Sequence, residues 1–222
     1  MPALTLIIGD HNLSSWSLRP WILLKHLGLP FQQIKLTLHS DAPGAEQDGY
    51  AREFRRRIAE YSPAGRVPVL LHDGLKIWDS MAICEYLNEL SGGAAWPADT
   101  AQRAHARSVS AEMHSGFQAL RQLWSMNTLG RDLQVPLTQL AATDVSRISQ
   151  IWTDCRASAS DQGPWLFGRY SIADAMYAPV ALRFNTYGAK LPARAAEYLA
   201  TVLGDPPMQQ WFAEAAAEIA SP

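Results

Sequence analysis

The sequence predicts an α/β domain built on a small mixed sheet over residues 1–90, followed by an all-α domain over residues 100–222. Three observations carry that prediction. Strand-length apolar runs and helical patterns alternate through the first ninety residues, punctuated by Gly, Pro and Asp. The stretch 91–99, SGGAAWPAD, is small, glycine-rich and broken by a proline, as a linker is. Beyond it, apolar residues recur only at helical spacings of three and four.

Leu4–Ile8 is a short apolar run that ends at Gly9-Asp10 and reads as a buried strand. Trp16 to Leu27 is helical, with Gly28-Leu29-Pro30 as its stop. Phe31 to Leu38 alternates through Ile34, Leu36 and Leu38, so a second strand is expected there. The polar stretch His39 to Gly49 reads as loop, and Tyr50 to Tyr61 as a short charged helix. Pro68–Leu71 and Leu75–Trp78 flank His72-Asp73-Gly74, an Asp-Gly hairpin turn. Ser80 to Leu90 closes the unit as a helix. The first two strands flank a helix, a crossover that requires them to be parallel, whereas the hairpin is antiparallel. Four mixed strands with three helices in this order is the thioredoxin arrangement.

In the second half, Val109, Met113, Phe117, Leu120 and Trp124 predict one face of a long helix, and Ile148, Ile151, Trp152 and Cys155 mark another. Ser171-Ile172-Ala173-Asp174 has the form of a capping box with Asp in place of Glu or Gln. It opens a helix expected to stop at Gly188. A last helix is expected over Met208–Ile219, after Pro206-Pro207.

Composition narrows the function classes. The chain is 48% hydrophobic and 18% charged with a net charge of −2, an ordinary globular balance. Without a basic tract, nucleic acid and anionic membrane are not expected partners. The Arg55-Arg56-Arg57 run sits beside Glu53 and Glu60 and reads as a solvated helix face. Cys84 and Cys155 form neither a CxxC nor a zinc spacing, so no metal is expected. Buried structural thiols and a reducing cytoplasm fit them. Leu4–Ile8 is too short for a signal peptide core, and no run approaches the ~20 apolar residues of a membrane span.

The segment 62–90, SPAGRVPVLLHDGLKIWDSMAICEYLNEL, points to a ligand. A proline precedes the first strand of the hairpin, and Asp79-Ser80 opens a helix directly after the second. That order presents backbone hydrogen-bonding groups and a helix N-terminus to a peptide-like anion.

With these residues in place, the chain resembles the cytosolic glutathione transferases over nearly its whole length. Val67-Pro68 before the third strand, the Asp79-Ser80 pair and the helical second half with its S-x-x-D cap all fit that pattern. Ser14-Ser15-Trp16-Ser17-Leu18-Arg19 is similar to the zeta-class signature S-S-C-x-x-R, with Trp16 in place of the zeta cysteine. The resemblance implies a glutathione-binding first domain, glutathione as co-substrate, and a homodimer pairing the first domain of one subunit with the helical domain of the other.

The chemistry then calls for a thiolate stabiliser. A thiol of pKa ~8.5 is only about 3% ionised at pH 7, and lowering that pKa by ~2 units requires ~2.7 kcal/mol. A helix N-terminus supplies ~0.3–1 kcal/mol when exposed and ~2 when partly buried. A hydrogen bond to the anion adds ~1.5–3 kcal/mol. Together they suffice, which suits serines at the start of the first helix, where Ser14, Ser15 and Ser17 lie and Pro20 fits the first turn. By resemblance Ser14 carries the thiolate contact, with Ser15 second. Plain N-capping is the competing reading.

Further roles are implied by the resemblance alone. The Val67 backbone would pair with the cysteinyl backbone of glutathione as an added strand, next to Pro68 and a cis Val67–Pro68 bond. Ser80 would take the γ-glutamyl carboxylate. Asp79, shorter than the usual Glu or Gln, would meet the γ-glutamyl ammonium or serve only as a helix cap. Arg66 and His39 are candidates for the glycyl carboxylate, and Gln118 for support of the tripeptide. Trp16 would lie beside the thiol. Met113, His114, Phe117 and Arg121 are candidates for the second-substrate site, with core packing or exposure as the alternative for each. Arg121 and Arg183 are candidates for a substrate carboxylate.

The expected activity is therefore attack of the glutathione thiolate on a small electrophile. Two alternatives use the same site: a maleylacetoacetate-type isomerase, for which the missing cysteine at Trp16 is a departure, and a glutathione-dependent peroxidase or reductase. A transferase-like scaffold without activity is the remaining alternative.

Overall fold

The computed structural model describes residues 3–38, 52–159 and 161–220. In chain order it contains β1 (Leu4–Ile8), α1 (Ser15–His26), β2 (Phe31–Lys35), α2 (Arg52–Ile58), β3 (Val69–His72), β4 (Leu75–Trp78) and α3 (Ser80–Leu90). Helices α4 (Thr100–Ser115), α5 (Gln118–Leu123), α6 (Gln139–Ser158), α7 (Ile172–Tyr187), α8 (Ala193–Gly204) and α9 (Pro206–Ala220) follow. The four strands form one sheet in the order β2-β1-β3-β4. β1 and β2 run parallel, while β3 is antiparallel to both β1 and β4. The thioredoxin-like sheet and the helical remainder expected from the sequence are both present.

The sheet is covered on two faces by different cores. Ile7, Leu36, Leu38 and Val69 pack with Phe54 and Ile58 of α2 in a small cluster. Leu6, Ile8 and Leu70 face the opposite way, into a large cluster that includes α1, α3 and most of α7. Helix α1 is packed against α3, α7 and α9. Trp21 of α1 meets Trp211 of α9 edge to face at 5.1 Å. Burying each large apolar side chain of this kind contributes about 1.5–3 kcal/mol. Helix α1 is thus packed by both halves of the chain.

Several boundaries differ from the sequence reading for physical reasons. The long helix expected through Val109 and Trp124 is two helices. α4 ends at Gly116, where Phe117 adopts a left-handed conformation with φ 61° and becomes the N-cap of α5. The apolar period survives the break because both helices face the same core. Strand β2 stops at Lys35, three residues before Leu38. Pro20 lies inside α1, past its first turn, because the helix already begins at Ser15. Pro20 has no N–H, so the Trp16 carbonyl lacks its i+4 donor. Helix α8 was not expected at all. The expected loop over 39–49, and the Tyr50 start of the helix that follows it, fall outside the described residues.

Among the described residues, no helix is long and apolar enough to cross a membrane. Cys84 and Cys155 are free and fully buried. Burial pushes both thiols up, Cys155 to about 12, so neither is a ready nucleophile.

Candidate functional site

The site begins at the loop between β1 and α1. Gly9 follows β1 and lies close to Leu38, whose side-chain carbons are 2.8 Å from where a Cβ would stand, so a larger residue there would have to displace the Leu38 side chain. The Asp10 carboxylate accepts from the Leu38 N–H at 2.8 Å, and the Asp10 carbonyl accepts from the Ser14 N–H at 2.8 Å. His11 is almost fully buried. Its Nδ1 lies 2.5 Å from Glu218 and its Nε2 2.7 Å from Glu214, both on α9. Thr128 donates to the His11 carbonyl at 2.8 Å, and the Leu129 N–H to the Asn12 side chain at 3.0 Å. The loop that delivers Ser14 is therefore strapped to the helical half of the chain at two places.

Ser14 is the N-cap residue of α1 but makes no side-chain cap bond to that helix. Its Oγ instead pairs with Ser17 Oγ at 2.7 Å. Ser15 is the first helical residue, and both serines are buried.

Ser14, Ser15, Trp16, Arg66, Val67, Pro68, Asp79 and Ser80 all line one cavity of about 330 Å³, together with Leu13, Leu38, Phe54, Ala64 and Trp78. The Val67–Pro68 peptide bond is cis. His39 falls outside the described residues.

Asp79 is a strained N-cap. Its backbone sits at φ 76°, a region that disfavours a non-glycine residue by about 1–3 kcal/mol. Its Oδ1 accepts from the N–H groups of Met81 and Ala82 at 2.9 and 3.2 Å. The Ser80 N–H, the first of α3, has no intrahelical acceptor. Asp79 thus caps α3, and Oδ1 is committed to that role. Its Oδ2 is 3.1 Å from His114 Nε2 on α4.

Burial holds the His114 imidazole below its ordinary value. The pull of Asp79 upward offsets this only in part, and Arg19 and Arg121 add to the lowering. A neutral His114 protonated at Nε2 donates to Asp79 and leaves the buried, unpartnered Nδ1 as its lone-pair nitrogen. As pH falls through ~6.5, the unfolded chain takes up this proton before the folded one does, so stability present above that window is lost on acidification. Asp79→Asn removes the upward pull and is expected to lower the His114 midpoint further in an NMR titration of the imidazole. A midpoint that rises contradicts this account.

The candidates for the second-substrate site do not line the described cavity. Met113 and Phe117 are buried in the large core. Arg121 donates to the carbonyls of Met113, Gly116 and His114, closing the C-terminus of α4. Gln118 donates to the Ser115 carbonyl at 3.3 Å from the start of short α5, not from a long helix. Arg183 is buried and donates to the Trp124 and Pro179 carbonyls, so its guanidinium braces α7 rather than facing a ligand. Burial, with Arg121 nearby, lowers its pKa to about 10.

Arg121 and His114 do reach the cavity wall through Trp16, and Arg19 joins them there. The Arg19 and Arg121 guanidiniums lie 4.1 and 4.8 Å from the Trp16 ring centroid, and the His114 ring meets it edge-on at 5.4 Å. Cation–π contact with both arginines holds the indole in place while it stays 36% exposed.

Arg19 is a site residue with no role in the sequence reading, whereas Ser17 stands there only as one of three serines at the start of the first helix. Arg19 is buried, donates to Ser80 Oγ at 3.3 Å, and keeps its Nε without a partner. Burial, and then the neighbouring Arg121 and Arg183, push its pKa well down. It joins the two helix N-termini of the site. The signal for it was present, since Arg19 closes the S-S-W-S-L-R motif, but its partner Ser80 lies sixty-one residues away. Among the described residues no group of three or more His, Cys, Asp or Glu is arranged to hold a metal.

Comparison with known proteins completes the picture. Residues 13–90 match the family described as glutathione S-transferase, N-terminal domain. The chain is similar to the maleylacetoacetate isomerase of Rattus norvegicus, 33% identical over 130 residues, which are 58% of this chain and 56% of that protein. It is also similar to a probable maleylacetoacetate isomerase of Caenorhabditis elegans, 30% identical over 118 residues, 53% of this chain and 49% of that protein. The chain thus spans about half the length of the curated relatives it matches. Among solved structures, a glutathione transferase homolog from Burkholderia with bound glutathione aligns at a TM-score of 0.70 and 25% identity, over 97% of this chain and 99% of that one.

Proposed function

We propose, for a chain whose residues 13–90 match the glutathione S-transferase N-terminal domain family, that it binds glutathione in this cavity and activates its thiol for attack on a small electrophile. The observation that carries the proposal is convergence. Eight residues from three separate segments, 14–16, 66–68 and 79–80, surround one cavity between two helix N-termini. The Burkholderia homolog, of the same fold, holds glutathione.

In this reading the peptide is gripped at one end and the sulfur at the other. The Val67 backbone pairs with the cysteinyl backbone. Ser80 and its free N–H take the γ-glutamyl carboxylate, aided by the α3 dipole and by Arg19 behind it. Asp79 Oδ2 receives the γ-glutamyl ammonium in competition with His114. Exposed Arg66 takes the glycyl carboxylate. Ser14 donates to the thiolate at the start of α1. The electrophile enters beside Trp16, where the two halves of the chain meet. On the same reading the protein works as a homodimer in the cytoplasm.

Calorimetry with glutathione tests the binding claim, with an affinity between micromolar and millimolar expected and no saturable heat contradicting it. Ser80→Ala is expected to weaken glutathione binding by ~10–100-fold, the loss of a hydrogen bond to a charged group. An unchanged affinity rejects its role.

A second reading, isomerisation of a maleyl double bond through transient thiolate addition, is favoured by the names of the two curated relatives. Trp16 stands where that class has cysteine, which narrows the space beside the sulfur. A panel comparing an aromatic halide, a maleyl substrate and a hydroperoxide separates conjugation, isomerisation and peroxide reduction. Turnover with none of them, despite glutathione binding, indicates the scaffold alternative.

A further inference from the structure

We infer that Ser17, which does not line the cavity, is a positioning residue that decides which proton faces the sulfur: it donates to Ser14 and so leaves the Ser14 proton for the thiolate. The inference rests on the reading above, in which Ser14 meets the glutathione sulfur.

Proton counting at a fully buried hydroxyl supports it. Ser17 is 0% exposed. A hydroxyl has one proton to give and two lone pairs to share. One lone pair of Ser17 Oγ is taken by the Gly9 N–H at 3.1 Å. The other partner of Ser17 Oγ among the described residues is Ser14 Oγ at 2.7 Å, a distance that suits donation in either direction. If Ser14 were the donor, the Ser17 proton would be buried without an acceptor, an arrangement folded proteins avoid. Ser14 would then also have no proton left for a ligand. If Ser17 is the donor, both of its roles are satisfied and the single Ser14 proton is free to turn into the cavity.

The direction is anchored in the sheet. The relay starts at the Gly9 N–H, directly after β1, so its first donor is a backbone group held next to the sheet. It runs Gly9 N–H to Ser17 O–H to Ser14 O–H, and each donation strengthens the next donor by polarising it. It also accounts for the missing cap. An N-cap serine ordinarily accepts from a backbone N–H of the first turn, whereas Ser14 accepts from the Ser17 hydroxyl. Ser15 enters no side-chain hydrogen bond among the described residues, so nothing orders its proton in the same way.

The test is a titration of the ultraviolet thiolate absorbance of bound glutathione in the full chain. It is run with wild type, Ser17→Ala, Ser17→Cys, Ser14→Ala and the double variant Ser14→Ala/Ser17→Ala. Ser17→Ala is expected to raise the bound thiol pKa by ~0.5–1 unit and to lower kcat at neutral pH by ~3–10-fold, with KM for glutathione within ~2-fold of wild type. Ser17→Cys keeps the side-chain shape but offers only a weak donor, so the same shift is expected should the alanine variant fold poorly. Because Ser17 acts through Ser14, its replacement is expected to add nothing in the Ser14→Ala background. A wild-type thiol pKa in the Ser17 variants overturns the inference, and so does an equal Ser17 effect with and without Ser14. If Ser14→Ala itself leaves the thiol pKa unmoved, the reading of Ser14 as thiolate donor falls, and this inference falls with it.

Discussion

Ser14→Ala is expected to raise the pKa of the bound glutathione thiol by ~1–2 units and to lower turnover near neutral pH by ~10–100-fold. The magnitude follows from the loss of one hydrogen bond to an anion, worth ~1.5–3 kcal/mol. Ser14 is 5% exposed and caps nothing, so its removal leaves helix α1 intact. Affinity for glutathione is expected to change little, because the peptide is gripped at Val67 and Ser80. The effect therefore falls on kcat at low pH and fades as pH rises above the shifted thiol pKa. A pH–rate profile checks this. If the profile is unchanged in Ser14→Ala but shifts in Ser15→Ala, the role passes to Ser15.

Asp174→Ala is expected to destabilise the fold by ~3–5 kcal/mol, the cost of leaving buried neutral donors unsatisfied at ~1–3 kcal/mol each, less the relief of no longer burying a carboxylate. Asp174 is fully buried and accepts from the Leu166 N–H, the Ser171 N–H, the Ser171 hydroxyl and the Tyr198 hydroxyl at 2.9–3.1 Å. Alanine leaves all four donors without an acceptor at the start of α7, whose residues are almost all buried and which packs on α1. Burial pushes the Asp174 carboxyl up to about 6 against the four donated bonds that pull it down. Its folded pKa lies above the unfolded one, so this group alone adds stability as pH falls from about 6 toward 3.8, the reverse of an exposed salt-bridged carboxylate. Denaturant midpoints at neutral pH measure the loss, and a variant within ~1 kcal/mol of wild type contradicts the account.

The two replacements probe features that the sequence revealed to different degrees. The box Ser171–Asp174, the Gly188 stop and the bounds of α3 were legible because each rests on local chemistry: a cap, a left-handed glycine, a strand running straight into a helix. The break between α4 and α5 was hidden, since Val109, Met113, Phe117, Leu120 and Trp124 keep one period across it. Its signal was Gly116 itself. Helix α8 carries only a short apolar period, Ala195, Tyr198 and Val202, between Pro192 and Gly204, which is a weak local signal for a helix. At the candidate site, the family-like motifs led to Ser14, Val67 and Ser80. They could not give the contacts made across the fold: Arg19 reaching Ser80, His114 reaching Asp79, or His11 held by α9. They also made Arg121 and Arg183 look available, although both are bonded to backbone carbonyls at helix ends.

The most direct test of the proposed function is the thiolate absorbance of glutathione titrated in the presence of the wild-type protein. The account predicts saturable binding and an apparent thiol pKa lowered ~1.5–2 units from ~8.5, the sum of one helix N-terminus and one serine hydroxyl. A bound thiol that titrates as it does free in solution would contradict it.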